Sequence, residues 1–110
     1  MKNIQLIREI NPNWQSEMIK DLEVVQLFSG PFRQLVEVRL RSGAVLSKHK
    51  AKEPITVFCL AGTGVFTAGD DLQESQDLRA GTLITLDANV NHEVTAKPEL
   101  HLIVTKFKDN

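Results

Sequence analysis

The side chains best suited to chemistry in this sequence are three histidines, His49, His92 and His101, and one cysteine, Cys59. Imidazole is a common ligand of divalent transition metals, and without a metal its ring nitrogens donate one hydrogen bond and accept another. We therefore expect a functional site to be built around histidine. Cys59 lies within the mostly apolar run Ile55–Leu60, where a cysteine is usually a buried small residue rather than a nucleophile.

Other catalytic motifs are absent from the sequence. It has no serine–histidine–aspartate order, no phosphate-binding glycine loop and no paired-carboxylate motif. Gly62-Thr63-Gly64 superficially resembles a glycine loop, but no helical pattern follows it, so we interpret it as a hairpin turn. The densest basic run, Lys48–Lys52, is closed by Glu53, and we interpret it as a solvated surface turn rather than an anion site.

The elements that must position the histidines are short β-rich runs separated by glycine, proline, asparagine or aspartate. Strands this short with turns this regular predict an all-β sandwich or barrel rather than alternating strands and helices. Gly69-Asp70-Asp71 is a good hairpin turn between two of the runs. The predicted strands are Glu23–Phe28, Gln34–Arg41, Ile55–Leu60, Gly64–Ala68, Gln73–Leu78, Thr82–Leu86, His92–Ala96 and Leu100–Phe107.

Alternation along Gln34–Arg41 predicts a half-buried strand with one face in water. Its apolar face carries Val36, Val38 and Leu40, and its polar face carries Glu37, Arg39 and Arg41. Ahead of the strands, Met18, Ile19 and Leu22 allow one helical turn after a Ser16 cap. We expect Trp14 to pack against the outside of the barrel or against a partner chain.

Bulk properties predict one domain over residues 1–110, with an N-terminal arm at 1–22 and the barrel at 23–108. The chain is 42% apolar and 25% charged with a net charge of −1, which is typical of a globular protein. It has no basic face for nucleic acid, no apolar stretch of ~20 residues for a membrane span and no apolar core of a signal peptide. We therefore expect neither a nucleic-acid nor a membrane partner, and a cytoplasmic location by elimination.

Gly43 and His49 stand at the spacing of a known motif. The chain resembles the cupins, whose first motif is a glycine, five residues and His-x-His, with a glutamate three or four residues later and a glycine six residues after that. Here Ala51 occupies the second histidine position and Ile55 the glutamate position, and Gly62 completes the motif.

The second cupin motif is a glycine, five residues, proline, one residue, glycine, two residues, histidine, three residues and asparagine. Gly81 and His92 keep both identity and spacing, whereas Asp87, Asn89 and Ala96 keep the spacing alone. Asparagine enters the left-handed backbone region more readily than most residues, so Asn89 is a mild replacement for the turn glycine.

The resemblance covers roughly residues 36–107 and implies a cupin jelly-roll β-barrel, also called a double-stranded β-helix. It also implies a divalent metal such as zinc, iron, manganese or nickel, which the family usually holds with three histidines and one glutamate. Only His49 and His92 remain here, and a structural or catalytic metal normally has at least three protein ligands. Glu53, on the strand parity of His49, and His101, on the last strand, are the candidate third ligands.

Two functions follow from this reduced motif. In the first, the protein binds a small polar ligand without metal in a barrel pocket lined by His49, His92, Ala51 and Ile55. In the second, it is a metal-dependent enzyme like the cupin dioxygenases or isomerases, with a non-standard third ligand. The lost ligands favour the first, and no catalytic residue is assigned.

Apolar residues ahead of the first strand predict a homodimer. A barrel of this size has little interior left for them, and an exposed apolar patch is usually an interface. We expect a two-fold symmetric homodimer with the N-terminal segment at or near the interface. The residues are Ile4, Leu6, Ile7, Ile10 and Trp14.

Overall fold

A computed structural model describes residues 3–109, so the first two residues of the predicted arm lie outside the described part. A short 3₁₀ helix, Trp14–Glu17, precedes seven strands. The prediction of an all-β fold is confirmed. The strands are β1 Leu22–Ser29, β2 Arg33–Leu40, β3 Val45–His49, β4 Ile55–Ala68, β5 Glu74–Arg79, β6 Leu83–Leu86 and β7 His92–Phe107.

The two longest strands, β4 and β7, hold the barrel together. Strand pairing follows the order β1-β2-β7-β4-β5, with β3 added to β7 and β6 added to β4, and every pair is antiparallel. The first part of β7 pairs with β3 and with the end of β4, whereas its second part pairs with β2 and with the start of β4. Each long strand therefore contributes to both sides of the barrel.

The hairpin turn predicted at Gly62-Thr63-Gly64 is wrong. Strand β4 runs without a break through this segment, and its register against β7 shifts between Cys59 and Ala61 and again between Gly62 and Gly64. Gly62 has a φ of +86°, a conformation that glycine tolerates and other residues rarely adopt. These glycines lie at β-bulges that bend one long strand. A glycine within a strand pattern indicates either a turn or a bulge, and here it is a bulge.

Two further strand assignments differ from the structure. His92–Ala96 and Leu100–Phe107 are parts of the single strand β7, and β3 was not predicted. Asn89 has a φ of +65°, the left-handed conformation that asparagine adopts more readily than most residues. Between β4 and β5, Gly69 has a φ of +107° in the predicted hairpin turn.

The core consists of alternate apolar residues on the inner faces of β2, β4 and β7. Cys59 is fully buried among them, as predicted, and burial raises the pKa of its thiol. A thiol with a raised pKa is a poor nucleophile at neutral pH. The inner residues of these three strands include Val36, Val38, Leu40, Ile55, Val57, Val94, Leu100 and Leu102.

The outer face of β2 is covered, so the prediction of one face in water is wrong. Glu37 is 1% exposed and Arg39 is 6% exposed, because the N-terminal arm lies over them. Trp14 packs against the outside of the barrel, as expected, with its ring stacked 4.8 Å from that of His101. The helical turn predicted after Ser16 is also wrong, because the 3₁₀ helix begins at Trp14 and the backbone is already extended at Met18.

No helix within residues 3–109 is both long enough and apolar enough to cross a membrane.

Candidate ligand-binding pocket

The barrel encloses a cavity of about 170 Å³. Most of its wall is apolar and comes from the inner faces of β2, β4 and β7, with Phe66 as the largest side chain. Four basic side chains complete the wall, and no acidic residue among 3–109 lines it. The basic residues are His49, Lys50, His92 and Lys106.

His49 and His92 meet at this cavity, as the motif spacing predicts. His49 ends β3, His92 begins β7, and the two residues are register partners in the ladder. Their ring centroids lie 4.2 Å apart with an angle of 60° between the ring planes. Phe66 stacks on the His92 ring at 5.6 Å and 10° and thereby fixes its orientation.

Backbone carbonyls determine which nitrogen of each imidazole carries the proton. His49 Nδ1 lies 2.7 Å from the Ser47 oxygen, and His92 Nδ1 lies 3.0 Å from the Val90 oxygen. A carbonyl oxygen can only accept, so we assign the hydrogen to Nδ1 in both rings. Both Nε2 atoms then keep a lone pair, and neither has a hydrogen-bond partner within residues 3–109.

The environment of His92 favours the neutral ring. Burial lowers the pKa of His92, and electrostatic interactions with His49 and Lys106 lower it further. The hydrogen bond to the Val90 carbonyl acts in the opposite direction but does not reverse the shift. A neutral His92 can accept a hydrogen bond from a ligand at Nε2.

Ala51 and Ile55 line the same cavity as the two histidines. The positions that correspond to the missing cupin ligands therefore face the pocket, but they carry only methyl and butyl groups. Within residues 3–109 there is no group of three histidine, cysteine or acidic side chains arranged to hold a metal ion. Two imidazoles without a carboxylate, next to the ammonium group of Lys106, do not fit the family's four-ligand metal centre.

Neither candidate third ligand joins the two histidines. His101 lies on the opposite face of β7, where its Nε2 is 2.5 Å from Glu37 Oε2 beneath Trp14. Strand alternation is the cause: positions 100, 102 and 104 face inwards, so position 101 faces outwards. Glu53 lies before β4 and lines a separate surface depression with Lys52 and Lys108. Both suggestions of a third ligand are corrected by this placement.

Sequence reasoning missed Lys106 as a pocket residue. It shares the strand parity of Leu102 and Val104 on β7, so alternation could have indicated an inward side chain at the barrel mouth. Lys50 was assigned to a solvated turn, and it is exposed, yet it also borders the cavity. The basic run at Lys48–Lys52 thus contributes to the pocket mouth.

Comparison with solved structures identifies the fold. A cupin superfamily protein from Desulfitobacterium hafniense superposes with a TM-score of 0.78 at 17% identity, over 97% of this chain and 96% of that one. An RmlC-like cupin with a double-stranded β-helix fold from Methanocaldococcus jannaschii gives 0.76 at 19% identity, over 96% and 93%. The chain therefore has the cupin double-stranded β-helix fold.

A metal-containing enzyme is among the similar structures. Bacillus subtilis oxalate decarboxylase, which has Mn(II) centres, matches with a TM-score of 0.65 at 20% identity, over 73% of this chain and 22% of that one. At such identity the likeness concerns the fold alone. No protein-family model and no curated protein matches the chain. The similar structures indicate no specific activity for it.

Proposed function

We propose that this protein binds a small molecule with a polar group in the barrel cavity, using His49 and His92 to hold that group. One observation supports the proposal above all. The ring centroids of the two imidazoles lie 4.2 Å apart in a cavity of about 170 Å³, and each ring is anchored through Nδ1 while its Nε2 has no hydrogen-bond partner among residues 3–109. Rings held in this way are preorganised, so little conformational freedom is lost on binding.

A metal-dependent oxygenase- or isomerase-like enzyme is the alternative function. Its support is that both histidines keep the family spacing and present Nε2, the atom that a metal would need. Against it, Ala51 and Ile55 supply no ligand and no other side chain compensates among residues 3–109. We therefore propose that divalent metals such as zinc or nickel bind weakly and are not needed for the ligand to bind.

The test compares wild-type protein with a His49→Ala/His92→Ala double variant, both without a histidine tag. Calorimetry with a panel of small polar molecules should find ligands whose binding the double substitution removes. The same preparations should contain metal well below one ion per chain. Circular dichroism and a thermal melt establish that the double variant is folded.

Two results would contradict this proposal. Equal binding by wild type and the folded double variant would place the site elsewhere. Stoichiometric metal in wild type that is lost from the double variant would favour the enzymatic alternative.

We also propose a homodimer that works in the cytoplasm. The dimer is supported by the exposed side chains of Ile4 and Leu6, which project from the arm where it lies over the barrel. The cytoplasmic location stays a prediction from the sequence alone.

A further inference from the structure

The charge of the cavity has a single sign. Every ionisable side chain that lines it is basic, and no ion pair described within residues 3–109 involves Lys50 or Lys106. Lys48, which lies outside the cavity, has a partner, because its Nζ donates to the Asp70 carbonyl oxygen at 2.6 Å. Two lysine charges at the mouth thus lie beside two imidazoles, and no carboxylate side chain of residues 3–109 pairs with them.

The remainder of the cavity is apolar. Val36, Val38, Val57 and Leu102 form the inner wall, and Phe66 closes it beneath His92. Burying an unsatisfied polar group against such a surface costs free energy, so a uniformly polar molecule fits the interior poorly. A ligand that matches the whole cavity has an apolar body and one polar end.

We propose that the cavity binds a small monocarboxylate whose apolar body is a single ring or a short hydrocarbon chain. The carboxylate would accept hydrogen bonds from the ammonium group of Lys106 and from a water molecule that donates its other hydrogen to an imidazole Nε2. The body would contact the apolar wall. This inference rests on the proposed ligand-binding function and specifies its ligand class. The size agrees, since an engineered protein cavity of about 150 Å³ accepts a benzene molecule and this one measures about 170 Å³.

The charges that favour an anion disfavour a metal cation. A lysine near the imidazoles repels a divalent ion, whereas the carboxylate that would attract one is replaced by Ile55. An ammonium group and a carboxylate form a charge-assisted hydrogen bond, which is stronger than a neutral one. The reduced cupin motif would then belong to a pocket that binds an anion in place of a metal cation.

Calorimetry at neutral pH with three probes of one shape tests the charge. Benzoate carries a negative charge, benzamide is neutral and benzylamine is positive. We expect benzoate to bind the unmodified protein about tenfold or more tightly than benzamide, because a hydrogen bond to a charged group is stronger than one to a neutral group. Benzylamine should show no binding. This comparison needs no variant, so it does not depend on whether a substituted protein folds.

A pair of lysine variants tests the position of the charge. Lys106→Met removes the ammonium group at the cavity and should weaken benzoate binding about tenfold while leaving benzamide binding unchanged. Lys108→Met is the matched control, because Lys108 is two residues along the chain, bonds to Ser29 and borders a different depression. It should leave benzoate binding unchanged.

The possible outcomes separate this inference from the proposed function. If benzamide binds as tightly as benzoate, and the His49→Ala/His92→Ala variant loses both, the pocket binds ligands but the carboxylate assignment is overturned. If none of the three probes binds, the carboxylate assignment is also overturned, and the polar-molecule panel decides the function by itself. Equal weakening by Lys106→Met and Lys108→Met would assign benzoate to general surface charge and would likewise overturn it.

Discussion

At the scale of the residue, the pocket combines two histidines oriented as metal ligands with two neighbouring positions that carry no ligand. His49 and His92 have the anchoring that metal-binding histidines usually show, with Nδ1 directed at a backbone carbonyl and Nε2 left available. Ala51 and Ile55 face the same cavity but offer no lone pair. The pocket therefore keeps the orientation of a metal site without its ligands.

Restoring the ligands should restore metal binding. In an Ala51→His/Ile55→Glu variant, the added imidazole and carboxylate would project into the cavity beside His49 and His92. We expect zinc or nickel affinity to rise by orders of magnitude over wild type, because the new ligands are held in place by the fold. Isothermal calorimetry measures the change, and the same pair of substitutions combined with His92→Ala is the control. An affinity no higher than that of wild type would show that the positions do not converge.

His101 predicts how stability depends on pH. Its burial, and then the charges of Arg39 and Arg8, lower its pKa from 6.5 to about 4, against a smaller opposite effect of Glu17. The adjacent Glu37 carboxylate also pairs with Arg8 and Arg39, which offset its negative charge at the imidazole. Between these values the unfolded chain binds a proton that the folded chain does not, so acidification favours unfolding. We expect the free energy of unfolding to fall as the pH decreases from 6.5 towards 4, and urea denaturation at several pH values measures it.

The His101→Gln variant is the control for this pH dependence, since an amide can still donate to Glu37 but does not titrate. Its stability should fall less than that of wild type over the same pH range. Parallel pH profiles for the two proteins would show that His101 does not cause the effect.

At the scale of the element, the bulges in β4 explain why one strand serves both sides of the barrel. Gly62 lies against the backbone of Glu99, and an added Cβ would overlap the Glu99 carbonyl group. Gly64 is similarly close to the Thr95 carbonyl and the Leu100 side chain. Glycine at these positions lets β4 approach β7 where β7 changes its neighbours, and this places Ile55 and Phe66 of one strand in the same pocket.

Gly62→Ala should therefore destabilise the fold more than Gly43→Ala. Both glycines have positive φ, +86° and +71°, so both variants carry the cost of that conformation, about 1–2 kcal/mol. A Cβ at Gly43 meets no atom within 4 Å, whereas a Cβ at Gly62 collides with backbone. We expect Gly62→Ala to lower the free energy of unfolding by a further ~1–3 kcal/mol, which is a typical cost of overpacking. Urea denaturation measures the unfolding free energy of both variants, and equal decreases would contradict the predicted collision at Gly62.

Local sequence pattern predicted the fold class and the pairing of two histidines, because both depend on spacing along the chain. It did not show that four predicted strands form two continuous ones, since the same residues mark turns and bulges. It also missed the burial of Glu37 and Arg39. The arm that covers them is not a regular strand or helix, so its sequence has no hydrophobic periodicity that would predict the contact. Lys106 was missed because the sequence does not show that this end of β7 lies between β2 and the start of β4, beside the cavity.

At the scale of the whole molecule, one side of the N-terminal arm contacts the barrel and the other side is exposed. Arg8 pairs with Glu37, and Trp14 is buried on His101, so the arm is attached to its own barrel. Asn3, Gln5 and Ile7 border a groove beside β1 and β2, whereas Ile4 and Leu6 remain 65% and 71% exposed. This segment forms no strand within residues 3–109, and β1 pairs only with β2.

An apolar segment next to an unpaired strand edge is the physical basis of the proposed dimer. Association would bury Ile4 and Leu6 and would cover the edge of β1, which otherwise offers free backbone groups to any extended chain. Deleting residues 1–10 would test this poorly, because the deletion also removes the Arg8 charge from Glu37. An Ile4→Gln/Leu6→Gln variant changes only the exposed side.

We expect sedimentation equilibrium to show wild type as a dimer at micromolar concentration and the Ile4→Gln/Leu6→Gln variant as a monomer or a much weaker dimer. Each leucine or isoleucine side chain buried on association contributes about 1.5–3 kcal/mol to the free energy of dimerisation, and each substitution is present in both subunits of a two-fold dimer. Leu83→Gln is the control, because Leu83 is 67% exposed but lies on β6, which pairs with β4 rather than with β1 or β2. A wild-type monomer would refute the dimer, and dissociation by Leu83→Gln alone would move its interface to β6.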